Sequence, residues 1–449
     1  MGKPATPVSL PHVPQVPFDV KPVTYTRFFL EFEPYEYSGW IDECESWKKT
    51  CFIGDWSPLL KMQVEGPDAL AFFESIAVNS FAKVAIGQAK HLIFCNNAGK
   101  IMGEGVLMRQ SEERVIFTSG PGVAWAFFQF YKGNWNATAT NVTADQYAFQ
   151  VQGPAALELM EKVTGESLRD IGFMRFRGSS IGNMGFDILR QGMSGEVGFE
   201  LHGSSDQAID VYNTILAAGE PYGIRRLGGR AKMVNHVEAC FPTPTVDYLP
   251  AMFGADERPF LESLLEQMPG FDEIVQTAGS WERTSLEDYA RTPIEMGWGK
   301  NVKFDHDFIG RAALEAEAAA PRRTMVTLVW NAEDVADVYD SLLRKGDEPF
   351  EYMEMPRNLL GLTWVDKVMV GERLVGTATS RCYSYSFREM LSLATIDLDE
   401  ATPGTAVEVV WGSPGKRQKR IRATVAPAPY KTDNRRADLT KVAPFVGAA

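Results

Sequence analysis

Positive charge is in short supply in this chain of 449 residues: 45 Lys and Arg stand against 58 Asp and Glu, a formal net charge of −13. A nucleic-acid binder needs surplus cations on at least one face to neutralise phosphates, so that class of partner is not expected. An anionic small ligand stays open, because one local Lys or Arg reverses the field inside a pocket. Cysteine is scarce as well. The five present (Cys44, Cys51, Cys95, Cys240, Cys382) are odd in number and widely spread. A disulfide framework or a zinc knuckle clusters its cysteines, so reduced, buried thiols in a cytoplasmic protein are the expectation. No uncharged apolar run reaches the roughly 18 residues of a transmembrane helix, and no membrane partner is expected. The start, MGKPATPVSLPHVPQVPFDV, has one Lys and many Pro but no apolar core of signal-peptide type. Missing too are a G-x-G-x-x-G after a strand, a G-x4-G-K-[ST], an H-E-x-x-H and a C-x-x-C. Nucleotide, flavin and zinc readings therefore have no motif, and no metal is expected.

What is present reads as alternating strands and helices. Repeated Pro predicts an extended arm over the first 20 residues. Leu60–Val64 alternates like a strand, Gly66-Pro67-Asp68 breaks it, and Ala69–Ile76 is predicted to be a helix capped by Asp68. Ile101–Met108 and Glu113–Thr118 alternate as two antiparallel strands that end at Gly120-Pro121-Gly122. The pattern then returns: Ala148–Val151 is a strand, Gly153-Pro154 breaks it, and Ala155–Val163 is a helix. KMQVEGPDALAFFESI and AFQVQGPAALELMEKV thus share strand, Gly-Pro and helix at one spacing, which predicts two similar α/β halves. Asp206–Ala218 is amphipathic, with Ala208, Val211, Ile215 and Leu216 as its apolar stripe. Positions 242–292 turn polar and Pro-containing, the look of an insertion or lid. Beyond Ala320, Thr324–Trp330, Leu359–Val365, Arg373–Ala378 and Ala406–Trp411 are strand-like with turns between, which suggests a small β-barrel or sandwich.

Four segments carry a family resemblance, in one order. VEGPDALAFFESIAVNSF with GQAKHLIFCNNAGKIMGEGVLMR resembles the amino-terminal part of the glycine-cleavage aminomethyltransferase. RQGMSGEVGFELHG resembles that family's G-x-x-G-E-x-G-F-E element, PIEMGWGKNVKFDHDFIGRAAL its joining segment, and SRCYSYSFREMLSLATIDLDEATPGTAVEVVWG its closing barrel strands. VKFDHDFIGR and YSYSFREMLSLATID are nearer to the tetrahydrofolate-dependent vanillate, 3-O-methylgallate and syringate O-demethylases. The resemblance implies an α+β fold: two related α/β halves that bind folate, plus a C-terminal β-barrel. It also implies tetrahydrofolate as cofactor and a small aromatic substrate. The divisions expected are an N-terminal arm and aromatic-rich segment over 1–45, a folate-binding body over 46–320 and the barrel over 321–449.

Site residues follow from the same resemblance. Glu200, Gln150, Phe241 and Thr118 are expected on the folate. A carboxylate at Glu200 would accept two N–H groups from the pterin edge, and the Gln150 amide would offer both a donor and an acceptor. Phe241 stands where the O-demethylases have a stacking Trp, so the ring is kept and the indole N–H lost. Glu104 falls where the superfamily has an Asp near the folate amine, a place for a base. Three departures bear on the substrate: Lys232 replaces a Tyr beside the methoxy group, Gly120 replaces an Arg that holds a carboxylate, and Pro58 replaces a His. Aryloxide is a poor leaving group unless protonated or strongly solvated, and a placed acid is worth about 10²–10⁴ in rate. Lys232 is the candidate for that acid, or else an anchor for a substrate carboxylate, with His236 one helical turn on as a further catalytic candidate. Trp56, Tyr37 and Gly120 are expected to border the pocket. The expected reaction moves one carbon from an aryl methyl ether or methylenedioxy group to tetrahydrofolate. An aminomethyltransferase acting on a C–N bond, or a folate binder with no catalytic role, is the alternative.

Overall fold

The computed structural model describes residues 24–28, 31–267, 275–356 and 362–447. The expected Pro-rich arm lies outside the described residues. A hairpin of Tyr25–Phe28 and Glu31–Pro34 comes first, then a helix, Trp40–Lys49. Two sheets and a barrel follow.

The first sheet has five strands in the order Gln88–Cys95, Ile101–Arg109, Arg114–Ser119, Leu60–Glu65, Thr138–Asn141. Leu60, Met62 and Val64 fall on one face by strand alternation and pack with Phe94 and Phe117. The helix Ala69–Ile76 lays Ala69, Phe72, Phe73 and Ile76 on that face, the spacing of one helical stripe. Asp68 does precede this helix but does not cap it. Its carboxylate accepts the Asn136 N–H at 2.8 Å and ties the helix start to the neighbouring loop instead.

The second sheet has six strands: Phe176–Ile181, Met184–Leu189, Gly198–Ser204, Gln146–Gln152, Phe52–Asp55 and Arg225–Arg226. It is covered by the helices Ala156–Thr164 and Ala208–Gly219, the latter burying Ala208, Val211, Tyr212 and Ile215. The sequence echo is visible in space. Each copy runs strand to helix through a glycine at positive φ, 138° at Gly66 and 126° at Gly153. The sheets meet through Ala89 and Met108 on one side, Phe176 and Leu189 on the other.

The stretch 242–292, expected as an insertion or lid, is packed into the body where it is described. Ala251, Met252, Phe260, Leu264 and Ala290 belong to the core of the five-stranded sheet. Gln276–Ala278 pairs in parallel with Leu362–Trp364, so that strand lies outside the barrel. The barrel is closed by six strands: Arg323–Trp330, Glu389–Asp397, Arg373–Ser384, Asp366–Val370, Ala406–Trp411 and Lys419–Ala426. Closure pairs every strand on both sides, which leaves this β-unit without an exposed edge. The expected α+β class with a C-terminal barrel is thus the observed one.

After its last barrel strand the chain turns back to the six-stranded sheet. Leu439 is buried in that sheet's core beside Leu168 and Ile171. Arg190 holds the returning backbone, donating to the carbonyls of Arg435 (3.0 Å) and Ala437, while Arg169 donates to those of Leu439 and Val442. Leu439→Ala is expected to cost about 2–5 kcal/mol, the usual range for emptying a buried leucine site. Urea unfolding measures it, and a loss below about 0.5 kcal/mol, typical of surface positions, would show the tail to be an ornament.

Candidate functional site

The candidate residues fall on the facing sides of the two sheets and on the helix Gly229–Glu238, whose Lys232 reaches the end of the strand Phe52–Asp55. On the strand Gly198–Ser204, Phe199 and Leu201 point into the helix-covered core, so alternation turns Glu200 and His202 to the opposite face. Gln150 sits directly across from Glu200 in the antiparallel register. The Gln150 amide donates to Glu200 Oε1 at 3.1 Å, Gln191 donates to the same oxygen, and His202 Nε2 lies 3.3 Å from Glu200 Oε2. Gln150 Oε1 is buried with no partner among the described residues. A buried acceptor beside a carboxylate is what an edge of N–H donors requires, so these two residues fit a pterin.

Glu104 occupies the facing sheet. Met108 shares its strand face and packs on Leu189, which is paired with Glu200, so both carboxylates look into one seam. Glu104 Oε2 lies 2.7 Å from His91 Nε2, and Asn301 Nδ2 is 3.3 Å from the other ring nitrogen. The edge of Trp298 meets His91 at 5.2 Å between centroids. Burial and then the charge of Glu104 push the nearby Tyr248 phenol well above its usual range, which keeps its proton on. Thr118 pairs with Val106 and therefore shares the face of Glu104. Gly120 begins the next helix, beside Ser119, whose hydroxyl donates to the Glu104 carbonyl.

Gly229–Glu238 is a helix buried nearly all round; every residue from Ala231 to Glu238 is buried. Ala231, Val234 and Val237 pack with Trp47, Phe52 and the barrel residues Cys382 and Leu391. Lys232 leaves that apolar packing and is 1% exposed. Its ammonium donates to Glu33 Oε2 at 2.5 Å and to the Asp55 carbonyl at 2.9 Å. It also lies 4.3 Å from the ring centroids of both Phe28 and Trp56, close enough for cation–π attraction. Tyr37 is drawn into the same group: burial, then Tyr212, Glu33 and Asp55, push its phenol far up. Lys232, Trp56 and Tyr37 are thus brought together.

Two expected residues stand apart. His236 turns Nδ1 to the Lys232 carbonyl at 3.2 Å and Nε2 to Asp247 at 3.8 Å. Asp247 in turn accepts from Thr379 and Ser380 of the barrel. The ring thus stands between its own helix and Asp247, which the barrel holds. Phe241 follows the helix, its N–H on the His236 carbonyl at 2.8 Å and its side chain half-buried.

The sequence reading missed Glu33, Asp55, His91 and Asn235. Asp55 had a signal, since Asp two residues before Ser57 is a turn pattern, and its carboxylate accepts the Ser57 N–H at 2.7 Å. Asn235 is buried one turn from Lys232, with neither side-chain polar atom partnered among the described residues. Nothing local marked Glu33 or His91, which are set by long-range pairing. A concavity of about 800 Å³, lined by Lys48, Glu196, Tyr383 and Lys431, lies elsewhere. Its lysines are already committed, Lys48 to Glu238 at 2.7 Å and Lys431 to Glu196. Among the described residues no group of three or more His, Cys, Asp or Glu is placed to hold a metal, and no helix is long and apolar enough to cross a membrane. All five cysteines are free thiols, and burial pushes Cys51 and Cys240 up to about 12.

Glu43 secures the start of the lysine helix by accepting the N–H groups of Tyr37 (2.5 Å), Ser38 (3.1 Å) and Gly228 (2.8 Å). Burial outweighs these bonds and pushes its carboxyl up to about 7 from an ordinary 4.5. The folded chain then holds this proton more tightly than the unfolded one. Its stabilisation is fully present below about pH 4.5 and is lost as pH rises through about 7. The thermal midpoint, taken relative to that of Glu43→Gln, is expected to fall between pH 5 and pH 8. A constant offset would refute the assignment.

The GCVT N-terminal domain family matches residues 20–252. A sesamin methylene transferase from Sinomonas sp. (strain No.22) is 35% identical over 419 residues, covering 89% of this chain and 90% of that one. A syringate O-demethylase from Sphingobium sp. (strain NBRC 103272 / SYK-6) is 34% identical over 419 residues, covering 88% and 89%. An aminomethyltransferase of Bacillus cereus (strain G9842) is 24% identical over 404 residues, covering 88% and 91%. Among solved structures, the glycine cleavage system aminomethyltransferase T from Bartonella henselae superposes with a TM-score of 0.67 at 18% identity, over 92% of this chain and 95% of that one.

Proposed function

Since this chain belongs to the aminomethyltransferase family, with its GCVT N-terminal domain, and is a one-carbon transferase, we propose that it takes one carbon from a neutral aryl ether to tetrahydrofolate. The observation that carries this reading is the buried Lys232 ammonium between the rings of Phe28 and Trp56. Apolar ring faces suit an arene, and a cation among them suits the oxygen that must leave as phenoxide. Gly120 offers no side chain to a carboxylate, whose unpaired burial would be costly, so a benzoate is the weaker fit. The names of two relatives, a methylene transferase and an O-demethylase, point the same way.

Glu200, Gln150, Phe241 and Thr118 would hold the folate, with Glu200 and Gln150 on its pterin. When bound, tetrahydrofolate supplies the secondary amine that accepts the carbon. Glu104, steadied by His91, takes the proton that the amine gives up as its new C–N bond forms. Lys232 gives a proton to the aryl oxygen as the C–O bond breaks, so one proton is taken up and one released. The walls at Trp56 and Tyr37 keep water from the leaving oxygen. A methyl ether leaves a phenol and 5-methyl-tetrahydrofolate by one such exchange. A methylenedioxy group goes through it twice, its two C–O bonds giving way to C–N bonds to two folate amines with two protons taken up and two released, and leaves a catechol and methylene-tetrahydrofolate.

Mass spectrometry of reactions with tetrahydrofolate and a panel of neutral methoxyarenes, methoxybenzoates and a methylenedioxybenzene decides the matter. A phenolic product that forms only with folate is the expected result, and folate binding without turnover of any arene defeats the aryl-ether reading. Glu200→Ala is expected to weaken folate binding by about 10–100-fold, the loss of hydrogen bonds to a charged acceptor. Calorimetry giving equal affinity in the wild type would sink the pterin assignment.

A further inference from the structure

One of the two hydrogen-bond partners of Lys232 comes from outside the two sheets. That partner, Glu33, comes from the N-terminal hairpin, 199 residues away in the chain. That hairpin lies directly on the first turn of the lysine helix, and two glycines make this contact feasible. A Cβ on Gly228 would stand 2.5 Å from the Tyr35 carbonyl oxygen. One on Gly229 would stand 2.5 Å from Thr26 Cγ2 and 2.8 Å from Glu33 Oε1. Glu33 is therefore seated at a helix N-terminus, where a carboxylate is favoured by the dipole.

The pair is unusual in its surroundings. Glu33 is 3% exposed and Lys232 1%. Glu33 Oε1 is buried with no hydrogen-bond partner among the described residues. A lysine buried without a counter-ion gives up its proton, because desolvation disfavours the charged form. Other charges near the pair are Asp55, whose carboxyl burial raises, and Lys61, which lies close enough to lower it. Arg226 stands by Tyr37, and His236 is turned to Asp247. Burial pushes the Glu33 carboxyl up, and the Lys232 ammonium pulls it back. An ammonium has three donors. Among the described residues, Glu33 and the Asp55 carbonyl take two, which leaves one for a ligand.

We infer that Glu33 is a positioning residue: it keeps the Lys232 side chain an aimed ammonium in a water-poor site, so that the N-terminal hairpin completes the acid the leaving aryl oxygen needs. This rests on the reading of Lys232 given above. The hairpin is then part of the machinery and not a cover over it.

The test uses the full chain with Glu33→Gln and Glu33→Asp. Two readouts are taken: the pH profile of kcat, and the labelling of Lys232 by acetic anhydride followed by peptide mass spectrometry, which needs no turnover. Glu33→Gln is expected to lower kcat by about 100-fold at pH 8 while folate affinity stays within about twofold. Its alkaline limb moves down by about one pH unit or more, and Lys232 is acetylated about tenfold faster, as for a lysine that has lost its counter-ion. Glu33→Asp restores part of both. A folded Glu33→Gln protein with the wild-type limb and wild-type labelling overturns the proposal and leaves Glu33 a structural anchor. Should the Gln variant not fold, unmoved labelling and an unmoved limb in Glu33→Asp overturn it equally. A wild type that turns over no aryl ether defeats the proposed reaction instead, and the labelling contrast alone then decides the role of Glu33.

Discussion

One buried helix sets the terms for the rest of the molecule. Gly229–Glu238 is enclosed on nearly every side, yet four of its side chains are Lys232, Asn235, His236 and Glu238. Each buried polar group must be answered by a partner or cost more than its packing returns. Lys232 is answered by the hairpin and by the end of a sheet strand, His236 by Asp247, and Glu238 by Lys48, Ser384 and Trp47, while Asn235 has no side-chain partner among the described residues. These partners come from five parts of the chain, the loop that carries Asp247 among them. Holding the helix therefore means holding hairpin, sheet, barrel and the first helix in one arrangement.

That arrangement separates charge in a useful way. The seam between the sheets presents carboxylates, Glu200 and Glu104, while the helix presents a cation in an aromatic setting. A reaction that gathers a proton at one end and spends it at the other needs such a division, and the two ends must not neutralise each other. Here each has its own companion, His91 for Glu104 and Glu33 for Lys232. Glu104 and His91 retain some exposure, 11% and 23% of their side chains, so this pair is within reach of solvent.

The fold was largely legible in the sequence because its signals are local. Strand alternation in Leu60–Glu65, the stripe Ala69, Phe72, Phe73, Ile76 and the repeated Gly-Pro break all act within a few residues. Glu200 and Gln150 were singled out through motif, and register sets them face to face. What sequence could not give was pairing over distance. Glu33 meets Lys232 only because a hairpin folds onto a Gly-Gly helix start, and His91 meets Glu104 diagonally across two strands. The polar composition of 242–292 likewise hid a few apolar side chains, such as Phe260 and Leu264, that dock in a distant core.

The return of the tail to the six-stranded sheet bears on how the protein is made. Chains emerge from the ribosome amino end first, and units that are complete fold as they appear. The six-stranded sheet is assembled from residues made early, but its core is not filled until Leu439 arrives. The barrel has to be synthesised in the interval. The newborn sheet therefore waits with an open flank through the production of an entire second unit, and its core is closed only after the barrel strands have been made.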